Sequence, residues 1–274
     1  MREPSKFTIL HLSDVHATSG ELLYGQVDGL ARLRQVGDYV VEAGVTPEAV
    51  VVTGDLVQRG HAEVYDRVDA ALRELGERVN APVFTVLGNH DDPAAARTLT
   101  GHGISHHRVV TVGALRFVLL NSSTGALDAD QLDWLAATVA EPFGMGTVVA
   151  VHHAPVPSPL PTLSKIGLRD PHLLADALRG SDARLILAGH YHHPMNSLFH
   201  GIPVSVGPSL AYHQVMNAGP ATVSGHDFAM FSLVQLTADQ VSCAPVSLQA
   251  VHPLFSTSVP PLPSNTTLTS TTTR

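Results

Sequence analysis

Hydrophobic positions in the first third of the chain alternate between compact apolar runs and longer stretches with helical spacing. Residues 6–12, 49–53 and 82–87 are short runs rich in β-branched side chains, a pattern typical of strands buried on both faces. Between them, residues 27–43 and 61–78 place an apolar side chain every three or four positions, which is the period of an amphipathic helix. The strand–helix–strand order therefore predicts a parallel α/β sheet.

Shorter predicted elements fill the rest of the chain. A turn at Gly113 and Ala114 separates two apolar runs and predicts a β-hairpin. Further helices are expected from about residue 94 to 99, at 128–140 with Asp128 as its cap, and at 171–179; buried strands are expected at 147–151 and 183–188. Between residues 195 and 246 the strands are short and interrupted by glycine and proline, which predicts a second sheet packed against the first.

No shift in composition divides the folded part of the chain. We therefore predict one domain over residues 1–252, followed by a disordered tail over residues 253–274 that is rich in serine, threonine and proline. The apolar run at residues 7–12 is too short for a signal peptide or a membrane span, so a cytoplasmic protein is expected.

Charge and cysteine content narrow the class of partner. The net charge of −8 argues against a nucleic-acid polymer as partner. A tail with one positive residue and few large apolar residues argues against strong membrane binding. The single cysteine, Cys243, excludes an intrachain disulfide and a thiolate-rich zinc site. The 17 histidines outnumber the 16 lysines and arginines, so imidazole is the abundant candidate ligand.

Polar side chains that can bind metal ions through oxygen or imidazole nitrogen follow five of the predicted strands. Each pair alone is compatible with an ordinary turn or helix cap. Together they predict a metal site, because ligands collect at the carboxyl ends of parallel strands and we expect all five at one edge of one sheet. These residues are Asp14 with His16, Asp55, Asn89 with His90, His152 with His153, and His190 with His192.

The number of candidate ligands indicates two ions rather than one. Carboxylate and imidazole suit manganese, iron and zinc, and seven ligands serve two ions if one carboxylate is shared. Asp55, in the middle of the set, is the natural bridge. Spacing alone leaves either His152 or His153 as the ligand, because consecutive strand residues face opposite ways.

The motifs, in this order, resemble those of the calcineurin-like metallophosphoesterase superfamily, and most closely the bacterial class III cyclic nucleotide phosphodiesterases. The matching motifs are Asp14-x-His16, Gly54-Asp55, Gly88-Asn89-His90-Asp91, His152-His153 and Gly189-His190-Tyr191-His192. Residues 10–14, 23–25 and 201–206 are also similar to that group. The resemblance implies an α/β fold, a four-layer αββα sandwich of two mixed β-sheets flanked by helices.

The resemblance also implies a role for each motif residue. Asp14, His16 and His192 would hold the first metal, Asp55 would bridge, and Asn89, His152 and His190 would hold the second. His90 would contact the phosphate and help the leaving oxygen depart, with Asn89 and His192 also facing the substrate. The family pattern favours His152 over His153. The implied metals are iron and manganese or two manganese ions, with zinc and cobalt as further candidates.

The implied function is a metal-dependent phosphodiesterase that hydrolyses cyclic nucleotides by attack of a metal-bridging hydroxide. The expected partner is a small-molecule phosphodiester, with 3′,5′-cyclic AMP as first candidate and 2′,3′-cyclic nucleotides as second. A glycerophosphodiester hydrolase of the same fold is the enzymatic alternative, and a catalytically silent scaffold is the non-enzymatic one. Related enzymes often pair, so a homodimer is compatible with the resemblance.

Overall fold

The structure is a computed structural model that describes residues 6–215 and 222–249. The predicted tail at 253–274 lies outside the described residues. Among those residues the α-helices are α1 (Gly29–Glu42), α2 (Tyr65–Val79), α3 (Ala129–Thr138) and α4 (Pro171–Ala177). None of the described helices has the length and hydropathy that a membrane crossing requires.

Thirteen strands are present in the described part of the chain. Those before α3 are β1 (Phe7–Leu12), β2 (Ala49–Thr53), β3 (Val83–Val86), β4 (Arg108–Val112) and β5 (Leu115–Leu119). Those after α3 are β6 (Thr147–Ala150), β7 (Ala183–Ala188), β8 (Met195–Phe199), β9 (Ile202–Val206), β10 (His213–Val215), β11 (Ser224–His226), β12 (Met230–Leu236) and β13 (Val241–Ser247).

The strands form two large mixed sheets and one small hairpin. The first sheet has the order β13-β12-β1-β2-β3, in which β1, β2 and β3 run parallel and β12 and β13 run antiparallel. The second has the order β4-β5-β6-β7-β9-β8, with a parallel centre and antiparallel strands at both edges. Strands β10 and β11 pair only with each other.

Three hydrophobic clusters separate four layers. One lies between the first sheet and helices α1 and α2, and includes Leu33, Val52 and Leu72. A second lies between the two sheets, where Ile9 and Val51 pack with Phe117. The third lies between the second sheet and helices α3 and α4. This arrangement confirms the expected four-layer αββα sandwich of two mixed sheets.

Two sequence expectations about the elements were wrong. The second sheet begins at β4 rather than near residue 195, and the last two strands return to the first sheet. Strand β1 is buried along its whole length, so it needs a hydrogen-bonded neighbour on each edge, and β12 provides the second one. The helix predicted at 61–78 is present as α2, preceded by a 3₁₀ turn at Ala62–Val64, whereas the helix expected from about residue 94 to 99 is a 3₁₀ turn, Ala95–Thr98.

A buried arginine ties the second sheet to α3. The guanidinium of Arg116 donates to Thr147 Oγ1 at 2.7 Å, to the Thr138 carbonyl at 2.8 Å and to Asp182 Oδ1 at 2.8 Å. Arg116 is only 7% exposed, so each of these acceptors loses a buried hydrogen bond if the guanidinium is removed.

We expect Arg116→Leu to lower the free energy of unfolding by about 3 kcal/mol, because it leaves Asp182 without its cation. Partial burial opposes ionisation of Asp182, but hydrogen bonds from Thr147, the Phe143 backbone and Arg116 hold its pKa below the ordinary value of 3.8. The contribution of Asp182 is therefore complete above about pH 5 and fades as the pH falls through the lowered pKa. Urea titration at pH 7 measures the loss.

The matched control is Arg179→Leu, which removes an exposed ion pair with Asp176. It should change the free energy of unfolding by less than about 0.5 kcal/mol. Equal losses in the two variants would contradict the assigned role of the Arg116 network.

Candidate metal centre

The carboxyl ends of the central parallel strands of both sheets meet at one place, and the predicted ligands lie there. Asp14 and Asp55 follow strands of the first sheet, whereas His152 and His190 follow strands of the second. The sheets touch directly at this point, since His152 Nδ1 lies 2.6 Å from the Thr53 carbonyl and the His190 amide donates to Asp14 Oδ2 at 3.1 Å. The expectation of one edge of one sheet was therefore wrong: two stacked sheets share the site.

One half of the site contains Asp14, His16, Asp55 and His192, all buried, with ligand atoms within 4.8 Å of one another. His192 Nε2 lies 3.2 Å from Asp14 Oδ1 and 3.1 Å from His16 Nε2. His16 Nε2 lies 3.6 Å from Asp55 Oδ2. These donors converge closely enough to share one ion.

The other half is built around the same oxygen of Asp55. His152 Nε2 lies 3.4 Å from Asp55 Oδ2 and 3.2 Å from Asn89 Oδ1. His190 is beside His152, with ring centroids 5.0 Å apart. Asp55 Oδ2 therefore lies between the two halves of the site.

Three of the histidines are oriented by hydrogen bonds through Nδ1. A backbone carbonyl or amide oxygen can only accept, so the imidazole must donate from Nδ1, and its Nε2 then presents a lone pair in the neutral form. The partners are Gln58 Oε1 for His16 at 2.8 Å, the Tyr212 carbonyl for His192 at 3.0 Å and the Thr53 carbonyl for His152 at 2.6 Å.

In the neutral form these lone pairs face carboxylate oxygens, an arrangement that a cation bound between them would stabilise. Asp14 Oδ1 and His190 Nε2 are moreover buried without a hydrogen-bond partner. Buried polar atoms are normally paired, so such orphans indicate a missing ligand. Oxygen and imidazole donors of this kind suit manganese, iron and zinc. The residues therefore fit a pair of metal ions.

His152 and His153 have different surroundings. His153 Nδ1 hydrogen-bonds to Ser122 Oγ at 3.0 Å, and its ring lies 4.4 Å from that of His190. Of the two, only His152 lies close to both Asp55 and Asn89. The geometry thus favours His152, as the family resemblance does.

Burial and charge shift the pKa values of the cluster in opposite directions. Burial lowers the pKa of His16 to about 4, against the opposing effect of Asp55, and burial together with His152 lowers that of His190 to about 4. Burial also disfavours the charged form of His152, but Asp55 and Asp14 outweigh it and raise its pKa to about 9. Burial likewise opposes ionisation of Asp55, yet His152 and His16 hold its pKa well below the ordinary value.

The backbone at the site is strained. Left-handed φ angles occur at Asp14 (54°), His16 (47°), Asp55 (50°), His190 (75°) and His192 (52°). For residues with a Cβ atom this conformation costs about 1–2 kcal/mol each. Strain of this kind concentrates at functional sites, where the surrounding structure holds the backbone in the conformation that orients the side chains. Nothing in the sequence indicates it.

Three residues that sequence reasoning gave no role also support the site. Gln58 Oε1 contacts the Nδ1 atoms of both His16 and His90, at 2.8 and 3.1 Å. The Asp91 carboxylate accepts from the backbone of Gly88 at 2.8 Å and of Leu56 at 3.1 Å, so it joins two of the ligand loops. Asp91 belongs to a recognised motif, whereas the roles of Gln58 and Tyr212 have no local signal.

We expect Gly88→Ala to disrupt the centre. A Cβ atom at Gly88 would lie 2.2 Å from Asp55 Oδ1 and 2.5 Å from the Asp55 amide, too close for either to remain in place. The variant should bind less than one metal ion per chain when loaded with manganese, as measured by inductively coupled plasma mass spectrometry. Gly103→Ala is the control, because its Cβ would meet nothing closer than 3.9 Å. Full metal content in Gly88→Ala would refute this interpretation of the geometry.

Comparison with known proteins agrees with this description. Over 233 residues the chain is 40% identical to a probable cyclic nucleotide phosphodiesterase of Rhodococcus erythropolis, covering 82% of this chain and 77% of that one. Over 246 residues it is 37% identical to a cAMP/cGMP dual specificity phosphodiesterase of Mycobacterium tuberculosis, covering 86% and 77%.

Solved structures show the same fold at low sequence identity. A dimetal phosphatase from Danio rerio superposes with a TM-score of 0.63 at 15% identity, covering 90% of this chain and 98% of that one. A family model described as calcineurin-like phosphoesterase matches residues 7–194, which include all five strand-end motifs. The chain therefore belongs to the calcineurin-like phosphoesterase family, as its motifs predicted.

Proposed function

We propose that this protein is a metal-dependent phosphodiesterase that hydrolyses cyclic nucleotides, with 3′,5′-cyclic AMP as the first candidate. The observation that carries the reaction class is the convergence of His16 and His152 on Asp55 Oδ2, from 3.6 and 3.4 Å. Two donor sets around one carboxylate oxygen suit a pair of ions, the usual device for hydrolysing phosphoesters. The choice of cyclic nucleotides rests on the two named relatives.

In this proposal the seven predicted ligands divide into two sets that share Asp55. Asp14, His16 and His192 hold one ion, and Asn89, His152 and His190 hold the other. Iron with manganese, or two manganese ions, are proposed, with zinc and cobalt as substitutes. When bound, the two ions would supply Lewis-acid stabilisation of the phosphoryl oxygens and activate water for in-line attack.

His90 is proposed as the proton donor to the departing ribose oxygen. Its backbone amide donates to Asp55 Oδ1 at 2.8 Å, which fixes the loop, and its Nδ1 lies 3.1 Å from Gln58 Oε1. As an imidazolium, His90 donates a hydrogen bond from Nδ1 to Gln58 Oε1 and presents its second N–H at Nε2. Burial lowers the pKa of His90, which makes the imidazolium a stronger acid but reduces the fraction of it present at neutral pH. Asn89 and His192 face the substrate beside it.

A substrate panel tests the proposal. The full-length, manganese-loaded protein would be assayed with 3′,5′-cyclic AMP, 3′,5′-cyclic GMP, 2′,3′-cyclic AMP and glycerophosphocholine. We expect kcat/KM to be highest for a cyclic nucleotide. Activity confined to glycerophosphocholine would replace the proposal with a glycerophosphodiesterase, and no hydrolysis of any diester by protein carrying two metals per chain would favour the scaffold.

A further inference from the structure

We propose that a cavity beside the metal centre binds the purine base of the nucleotide, with Tyr24 as a stacking surface and Gln214 as a hydrogen-bonding group. The inference rests on the proposed function and extends it to substrate recognition. The cavity has a volume of about 410 Å³, and its walls include Tyr24, Gln26, Tyr212, Gln214 and Asp227. This volume is within the range of small-molecule sites.

Two residues in the wall of the cavity, Tyr212 and Gln214, contact the predicted metal ligand His192. The Tyr212 ring packs against the His192 ring with centroids 4.1 Å apart, and the Tyr212 carbonyl lies 3.0 Å from His192 Nδ1. The Gln214 backbone N–H donates to the His192 backbone carbonyl at 2.9 Å. One wall of the cavity thus contacts a predicted metal ligand, which places the cavity next to the metal centre.

Tyr24 presents an aromatic ring to solvent at the mouth of the cavity. Its side chain is 70% exposed, and its φ of 52° lies in the left-handed region. The ring meets the Tyr212 ring edge-on at a centroid distance of 5.6 Å. A strained backbone that keeps a large ring in water suits a surface for a ligand, and nucleobases stack on tyrosine.

Gln214 offers the second, independent observation. Its Oε1 atom is buried and has no hydrogen-bond partner among the described residues, although Gln214 lines the cavity. A buried acceptor without a donor is unfavourable, and the exocyclic amino group of adenine would supply one. Glutamine side chains commonly read adenine in this way, through N6 and N7.

The charge of the walls fits a base better than a second phosphate. None of the described residues that line the cavity is a lysine or an arginine. Arg32, which is near, is paired with the carboxylate of Asp227 and with the carbonyls of Leu210 and Ala211. A phosphate would therefore lack a cationic partner there, whereas an uncharged aromatic base needs none.

Paired titrations of AMP and ribose 5-phosphate isolate the contribution of the base, because the two ligands otherwise carry the same sugar and phosphate. Dissociation constants would be measured by isothermal titration calorimetry on full-length, manganese-loaded protein. We expect AMP to bind at least about 10-fold more tightly than ribose 5-phosphate, and Tyr24→Leu to reduce that ratio at least about 5-fold. Tyr24→Phe should retain the ratio, because it keeps the ring.

Controls separate base binding from general effects. Tyr39→Leu removes a tyrosine that is 38% exposed on α1 and packs on Phe231, and should leave the ratio unchanged. Gln214→Ala should weaken AMP several-fold and ribose 5-phosphate little. A ratio near one in the parent, or an equal loss in Tyr24→Leu and Tyr24→Phe, would overturn the inference. Calorimetry needs no turnover, so failure to hydrolyse cyclic AMP would refute the proposed function without deciding this one.

Discussion

Replacing Asp55 with asparagine is expected to lower phosphodiesterase activity by more than about 1,000-fold. The buried carboxylate lies between His16 and His152, so loss of its charge affects both halves of the site. Asparagine tolerates the left-handed φ of 50° at this position as well as aspartate does, and its amide oxygen can still accept from the His90 backbone. The substitution therefore isolates charge from shape.

Metal content and activity should change together in this variant. Plasma mass spectrometry of Asp55→Asn loaded with manganese should find clearly fewer than two ions per chain, with a circular dichroism spectrum like that of the parent. Asp133→Asn, an exposed aspartate on α3, is the matched control and should keep both ions and full activity. Two tightly bound ions in Asp55→Asn, with activity near that of the parent, would contradict the bridging role.

His90→Ala is expected to reduce kcat by about 100- to 10,000-fold while both metals stay bound, which separates proton donation from metal binding. His90 is beside Asn89 but contacts Asp55 only through its backbone amide, which alanine retains. The side chain contacts Gln58 at 3.1 Å and is half-buried.

The leaving group gives this prediction a second readout. An alkoxide such as the ribose 3′-oxygen needs a proton as it departs, whereas 4-nitrophenolate does not. His90→Ala should therefore lose much less activity toward bis(4-nitrophenyl) phosphate than toward 3′,5′-cyclic AMP. Equal losses on both substrates would assign His90 to binding or positioning rather than to proton donation.

Local sequence patterns were sufficient for most elements. Strand β2 has the bounds that its β-branched run predicted, and the hairpin turns at Gly113 and Ala114. Helix α3 starts after its predicted cap, where the Asp128 side chain accepts a hydrogen bond from the Gln131 backbone N–H. These features depend on neighbours in sequence, such as side-chain alternation or a capping oxygen. The seven candidate ligands could also be predicted from the sequence, because the residue type determines which atoms a side chain offers to a metal.

The assignment of strands to sheets was not available locally. Residues 230–236 alternate like any half-buried strand, and only the need of β1 for a partner places them in the first sheet. The choice between His152 and His153 was open for a similar reason. Consecutive side chains at a strand end point apart, and which one meets Asp55 depends on where the other sheet lies.

The sequence by itself determined the chemistry of this protein: carboxylates, one amide and imidazoles at strand ends, in an order that identifies its family. The tertiary structure decided that two stacked sheets deliver them, that five of them sit on a left-handed backbone, and that Gln58 and Tyr212 orient the imidazoles. The residue type determines what a side chain can bind, whereas the direction in which the side chain points depends on packing between segments far apart in the chain. His16 and His192 are 176 residues apart, yet their Nε2 atoms lie 3.1 Å from each other.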